Sequence, residues 1–145
     1  MRQLGNLFAA VGVTLACALT GPRLMFAEPQ AGTSPTRRAV EIRSYNLKPG
    51  SRPEFHRLAS ELAVPMLRRW KIDVVAHGPS PHDDTSYYLI RAYANVADRQ
   101  RSEDAFYGSD EWRQGPRESI LALIDSYTTI VLDLDDAVVE SLRRP

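Results

Sequence analysis

Asp104 to Leu134, DAFYGSDEWRQGPRESILALIDSYTTIVLDL, carries two hydrophobic periods back to back. Ile120, Leu121, Leu123 and Ile124 fall at helical spacing, and from Tyr127 to Leu134 the residues turn β-branched and extended. A helix that runs straight into a closing strand points to a mixed α and β domain. Ahead of that switch lies an aromatic and cationic cluster, Phe106, Tyr107, Trp112, Arg113 and Arg117, punctuated by Gly108, Gly115 and Pro116. Aromatic faces beside guanidinium groups form a surface able to grip an aromatic or anionic ligand. The same residues also fit a simpler role, with Phe106 and Trp112 as core anchors and the arginines solvated.

Working outward, the 145 residues suffice for one domain with short extensions. Eighteen basic and eighteen acidic side chains cancel, so no global field recruits nucleic acid or an anionic membrane. Residues 1–27 read as an export signal: Arg2, an apolar run from Leu7 to Leu19, a break at Gly21-Pro22 and a small residue at Ala27. The run is short for a bilayer span, which favours a cleaved signal and no stable membrane span after cleavage. The expected destination is periplasmic or secreted, with a mitochondrial presequence as the alternative. Cys17, the only cysteine, lies inside that run, so the mature chain carries no thiol for disulfides or thiolate chemistry. Residues 28–38 (EPQAGTSPTRR) lack apolar periodicity and read as a disordered linker, with the folded domain at 39–134.

Within the domain, Ala39 to Leu47 alternates as a strand and Pro49-Gly50 turns the chain. Ser51 and Glu54 form a candidate capping box for a helix striped by Phe55, Leu58, Leu62 and Met66, which Pro65 is expected to kink. Ile72 to His77 is a second strand, with Ile72, Val74 and Ala76 on one face and Asp73, Val75 and His77 on the other. Thr85 to Tyr93 pairs back on it as a hairpin. Asn95 caps a helix that runs from Val96 to about Tyr107, Ser109 caps a shorter one, and a strand follows over Tyr127 to Asp133. Residues 135–145 form a tail with a short helix. The order strand, helix, strand, strand, helix, strand is the ferredoxin-like βαββαβ pattern, an α+β fold with helices on one face of an antiparallel sheet. The face left uncovered is expected to carry Glu41, Arg43, Tyr45, Asp73, Val75 and His77. Pairing two such faces across a homodimer, as a barrel, would cover them.

Several blocks carry a family resemblance. Val40-Glu41-Ile42-Arg43-Ser44-Tyr45 with Lys48-Pro49-Gly50 resembles the opening of NIPSNAP-type domains. Tyr87-Tyr88-Leu89-Ile90-Arg91, and Phe106-Tyr107-Gly108-Ser109 through Trp112-Arg113 to Gly115-Pro116-Arg117, resemble their later blocks. The resemblance spans about Val40 to Leu134. It implies a dimeric α/β barrel, related in architecture to small antibiotic-biosynthesis-type monooxygenases and to stress-responsive barrel proteins. It also implies interaction or signalling roles in mitochondrial members, while small bacterial members mostly have no assigned activity.

The chemical motifs narrow the function less. His82-Asp83-Asp84 is an incomplete ligand set for a metal. His77 is a weak catalytic candidate, a general base with Asp73 beside it on the same strand face, or else a structural histidine in a dimer interface. His56 reads as an exposed helix residue. Tyr45, Tyr88 and Arg91 join Phe106, Tyr107, Trp112, Arg113 and Arg117 as candidate ligand-binding residues. No Gly-rich phosphate loop and no nucleophile elbow occur, so no cofactor and no serine hydrolase chemistry is called for. Two function classes remain. One is an exported module that binds a small hydrophobic or aromatic ligand or a protein. The other is a cofactor-independent oxygenase or isomerase of the dimeric-barrel type, acting on an aromatic or quinone-like substrate.

Overall fold

The computed structural model describes residues 36–143, so the expected export signal, Cys17 and nearly all of the expected linker lie outside the described residues. Four strands, β1 (Arg37–Leu47), β2 (Asp73–Pro79), β3 (Ser86–Tyr93) and β4 (Ile124–Asp135), form one antiparallel sheet in the order β2-β3-β1-β4. Helix α1 (Arg52–Leu58), a π-helical turn (Ala59–Ala63) and α2 (Val64–Arg69) connect β1 to β2. Helices α3 (Val96–Gly108), α4 (Asp110–Arg113) and α5 (Arg117–Leu121) connect β3 to β4, and α6 (Asp136–Ser141) follows. This is the ferredoxin-like α+β arrangement read from the sequence, with the β2–β3 hairpin as expected. The closing strand is longer than expected at both ends, and α5 stops at Leu121.

The first helix departs from its expected stripe. Ser51 makes no side-chain cap bond, so the capping box does not form. Pro65 cannot donate to the carbonyl four residues back, and the irregularity falls just before it, where the Val64 amide reaches Ala59 in a π turn. The extra residue in that turn rotates the apolar face. Leu62, expected in the stripe, is 43% exposed, while Ala59, Val64 and Leu67 are buried beside Phe55, Leu58 and Met66.

Along β1 the two faces are the reverse of the expected ones, whereas Asp73 and Val75 of β2 lie on the expected side. Glu41, Arg43 and Tyr45 face the helices: Glu41 is fully buried and ion-paired with Arg99 of α3, Arg43 bonds Tyr107 of α3, and the Tyr45 ring packs on Phe55 of α1 at 5.2 Å. The opposite face is apolar, with Val40, Val75 and Ala92 buried beneath Val139 of α6 and with Ile42, Ile90 and Leu134 packed beside them. Asp73 holds α6 down: its carboxylate accepts from both Arg143 Nη atoms at 2.9 and 2.8 Å and from Arg38 at 2.9 Å. The guanidinium of Arg143, hydrogen-bonded to it, keeps the Asp73 carboxyl below the usual range. The last helix is thus packed on the sheet.

A bulge in β2 explains why His77 departs from its expected face. Val74 pairs with Arg91 and Ala76 with Ile90, so Val75 is the extra residue and the alternation resets. Val74 and His77 therefore both face the helices, whereas Asp73 and Val75 face the other side. Asp73 cannot orient His77 as a base.

Helix α3 meets the sheet through charge. Its inward stripe is Arg99, Glu103, Phe106 and Tyr107, and below it stand Glu41, Arg43 and Arg91. Arg91 is completely buried and pairs with both Glu41 and Glu103. Arg99 pairs with the same two carboxylates, at 2.9 Å from Glu103, and Arg43 adds a third cation at 3.0 Å from Glu41. Burial pushes the Glu41 carboxyl up, but Glu103 and the surrounding guanidinium groups outweigh it and hold it at about 2. Burial and the neighbouring Glu41 push Glu103 up. Removing one member of such a network leaves buried charge unpaired. Arg91→Met should therefore cost about 3–5 kcal/mol in urea unfolding. A loss of under about 1 kcal/mol, as for a surface pair, would show that the network does not hold α3.

Candidate functional site

Two spaces lie between the helices and the sheet. The first is a small cavity of about 40 Å³ walled by Tyr45, Phe55, His77, Tyr87, Phe106 and Trp112 among others. The second is an open groove of about 440 Å³ between β1 and β4 of the sheet and helices α3 to α5. The groove is lined by Arg43, Tyr45, Glu103, Tyr107, Trp112, Arg117 and Tyr127, with Asp104, Ile120, Leu121 and Ile124 at its margins. Cavity and groove share Tyr45, Tyr107, Trp112 and Ile120 as a common wall.

Local sequence builds that wall. Ser109 accepts from the Trp112 amide at 3.2 Å and so starts α4, as the sequence suggests. Gly115 lets the chain turn back against α4, because a Cβ there would sit 2.3 Å from the Glu111 carbonyl oxygen. The turn brings α5, with Ile120 and Arg117, beside Trp112. Phe106, Tyr107 and Trp112 form a ring cluster with centroid separations of 5.0, 5.3 and 5.6 Å. The Tyr107 hydroxyl accepts hydrogen bonds from Arg43 at 2.9 Å and Arg91 at 3.0 Å. Arg43 lies 5.2 Å from the Tyr127 ring centroid, so one guanidinium joins the ion network to the groove floor. Burial pushes the Tyr45 phenol up to about 12, so it stays protonated there.

The sequence candidates divide accordingly. Tyr45, Tyr107, Trp112 and Arg117 line the groove, and Phe106 lines the cavity alone. Arg117 keeps 42% of its side-chain surface and pairs only with its neighbour Glu118 among the described residues. Arg91, read as a ligand residue, is sealed within the ion network and cannot reach a ligand. Tyr88 stands across Gly78 on the opposite face of the sheet from the cavity, because it pairs with Ser44 rather than with Tyr45. Arg113 is exposed and does not border the groove. His82, Asp83 and Asp84 do not converge: Asp83 caps Thr85 and Ser86, and Asp84 pairs with Arg52.

Sequence reasoning missed Arg43 and Tyr127 in the groove. Tyr45 and Tyr127 are register partners across β1 and β4, a pairing that exists only once the sheet is assembled. It also missed a polar cluster on the cavity wall. The Tyr87 hydroxyl lies 2.9 Å from His56 Nδ1 and 2.9 Å from His77 Nδ1. Ser60, on the π turn, is buried close to that hydroxyl but outside hydrogen-bonding geometry. Burial, with His56 and Arg68 nearby, pulls His77 below the usual imidazole range. Burial pushes the Tyr87 phenol up to about 12.

No family model and no curated protein matches the chain. Solved structures do. A NIPSNAP family protein with unknown function from Agrobacterium tumefaciens superposes with a TM-score of 0.64 at 18% identity, covering 69% of this chain and 90% of that one. A second NIPSNAP family protein from the same organism gives 0.62 at 18%, covering 68% and 87%. A NIPSNAP-like domain protein from Burkholderia xenovorans gives 0.61 at 20%, covering 66% and 83%. Each superposition covers about two thirds of the chain. The chain has the fold of the NIPSNAP-family proteins.

Proposed function

We propose that the chain is a NIPSNAP-type domain that binds a small aromatic ligand carrying an anionic group. The groove between β4 and helices α3 to α5 carries this reading. Its walls offer ring faces from Tyr45, Tyr107, Trp112 and Tyr127, and the Arg117 guanidinium stands at its edge with much of its surface in water. Aromatic faces beside placed polar groups are features of a ligand site, and here the charged groups Arg43, Glu103, Asp104 and Arg117 share the lining with the rings. The resemblance of the sequence blocks to NIPSNAP domains and the shared fold support the same reading. No described helix is long and apolar enough to cross a membrane. Export by residues 1–27 is proposed on the sequence reading alone, and a reporter fused behind them should leave the cytoplasm; a reporter retained uncut would refute it.

A homodimer through the open sheet face belongs to the proposal. That face presents Ile130 at 50% exposure and Leu132 at 38%, beside the half-buried Ile42 and Ile90. A second copy of the same apolar face is a complementary cover for it. Light scattering should give twice the protomer mass at micromolar concentration, and Ile130→Lys should halve it. A wild-type monomer would refute the dimer.

Phenylpyruvate, an aromatic 2-oxo acid, serves as a probe of the groove. Arg117→Ala should weaken its binding about tenfold, read by tryptophan fluorescence, and cost under about 1 kcal/mol of stability. Trp112→Ala should cost roughly 3–5 kcal/mol, because its ring is core. Equal destabilisation by the two substitutions, or unchanged binding in Arg117→Ala, would make the cluster structural and refute the reading.

A further inference from the structure

The Tyr87 hydroxyl has one proton to give and bonds two imidazole nitrogens, Nδ1 of His56 and Nδ1 of His77. It can donate to only one of them, so the other ring must donate to it. Both rings are thereby locked into linked tautomers: when one carries its proton on Nδ1, the other carries it on Nε2. The two ends of this chain differ in surroundings. His56 is exposed on α1, while His77 is half-buried and lines the cavity. A phenol buried to 1% exposure thus connects an imidazole in water with one in an apolar space.

We propose that His56, Tyr87 and His77 form a proton relay, and that His77 Nε2 is the acid–base group for an enolisable carbonyl compound held in the adjoining groove. The ligand's binding rests on the groove reading above; the chemistry does not. Cavity and groove adjoin across Tyr45, Tyr107, Trp112 and Ile120, and the proposal requires this wall to part so that the carbonyl end of a ring held in the groove meets His77. The cavity itself has room for a small group of this kind, since a water needs roughly 10–15 Å³ of such space.

The step balances without an oxidant. In the ready state His77 Nδ1–H donates to Tyr87, Tyr87 O–H donates to His56 Nδ1, and His56 carries its proton on Nε2 in water. His77 Nε2 takes the proton from the carbon beside the carbonyl. The C–H electron pair becomes the new C=C bond, and the carbonyl π pair moves to oxygen, which takes a proton from water. His77 then passes its Nδ1 proton to Tyr87, Tyr87 passes its own to His56, and His56 releases the Nε2 proton to solvent. Keto becomes enol, and the reverse sequence returns it. Between turnovers the ring nitrogens re-equilibrate with water.

The surroundings of His77 suit a base. The groups facing it are His56 of α1, Arg68 of α2, Tyr87 of β3 and, across the cavity, Tyr45 of β1 and Tyr107 of α3. Burial first, and then the neighbouring His56 and Arg68, favour its neutral form. Tyr87 stays a phenol throughout, because burial keeps its pKa near 12. The arrangement is that of a positioned general base with an exit for its proton.

The test is the enol–keto conversion of phenylpyruvate, followed by loss of the enol absorbance. Wild type should exceed the buffer rate, and His77→Gln should lose about 100-fold or more of that acceleration. Tyr87→Phe should keep binding, lower kcat about tenfold and make a second change, His56→Ala, silent. Binding that depends on Arg117 with no acceleration over buffer, or His77→Gln as fast as wild type, would overturn the relay and leave the groove reading intact. Absence of binding would overturn both. Should a variant fail to fold, ring-nitrogen NMR of the wild type decides: linked titration of His56 and His77 supports the relay, and independent titration refutes it.

Discussion

The buried charge between β1, β3 and α3 is the constraint on which the rest of this structure depends. Helix α3 has no apolar stripe of its own long enough to hold it, since its inward residues include Arg99 and Glu103. It seats because Glu41 and Arg91 on the sheet complete a network of two carboxylates and three guanidinium groups. Ion pairs at this depth offset a large desolvation cost only when they are geometrically satisfied, which fixes the helix in one register. That register sets where Tyr107 hangs, and Tyr107 accepts from Arg43 and Arg91 at the head of the groove. The proposed ligand groove is therefore an outgrowth of the ion network.

Two irregularities of backbone then shape the cavity. The π turn before Pro65 rotates α2 so that Ala59, Val64 and Leu67 close the cavity, and it brings Ser60 close to Tyr87. The bulge at Val75 turns His77 inward. Each inserts one residue into a regular element, and each changes which side chain meets the interior. Without them the cavity wall would lack its histidine, and Leu62 would replace Leu67 in the core. Features of this kind recur near functional sites, where a side chain must be re-aimed.

Much of the fold was legible in the sequence because it rests on local rules. Alternation marked β1 and β3, Asn95 and Ser109 marked helix starts, and the βαββαβ order led to the antiparallel sheet. What failed was the assignment of faces, and for a physical reason. Charged residues such as Glu41 and Arg43 read as solvent-facing unless their partners are known, and those partners, Arg91, Arg99 and Glu103, lie 50 or more residues away for Glu41. The groove was half legible: Trp112 and Arg117 were singled out by their Gly and Pro surroundings, whereas Arg91 was misread and Tyr127 overlooked. The His56–Tyr87–His77 cluster left no local trace, because three elements supply it.

The groove proposal holds that a ligand enters between helices and sheet on the β4 side, and not on the open apolar face. Amide and side-chain chemical shifts recorded while phenylpyruvate is added test it most directly. The account predicts changes clustered at Tyr45, Tyr107, Trp112, Ile120 and Tyr127, the residues around the groove. Changes clustered at Ile42, Ile90 and Ile130 on the opposite face, with the groove residues unmoved, would contradict it.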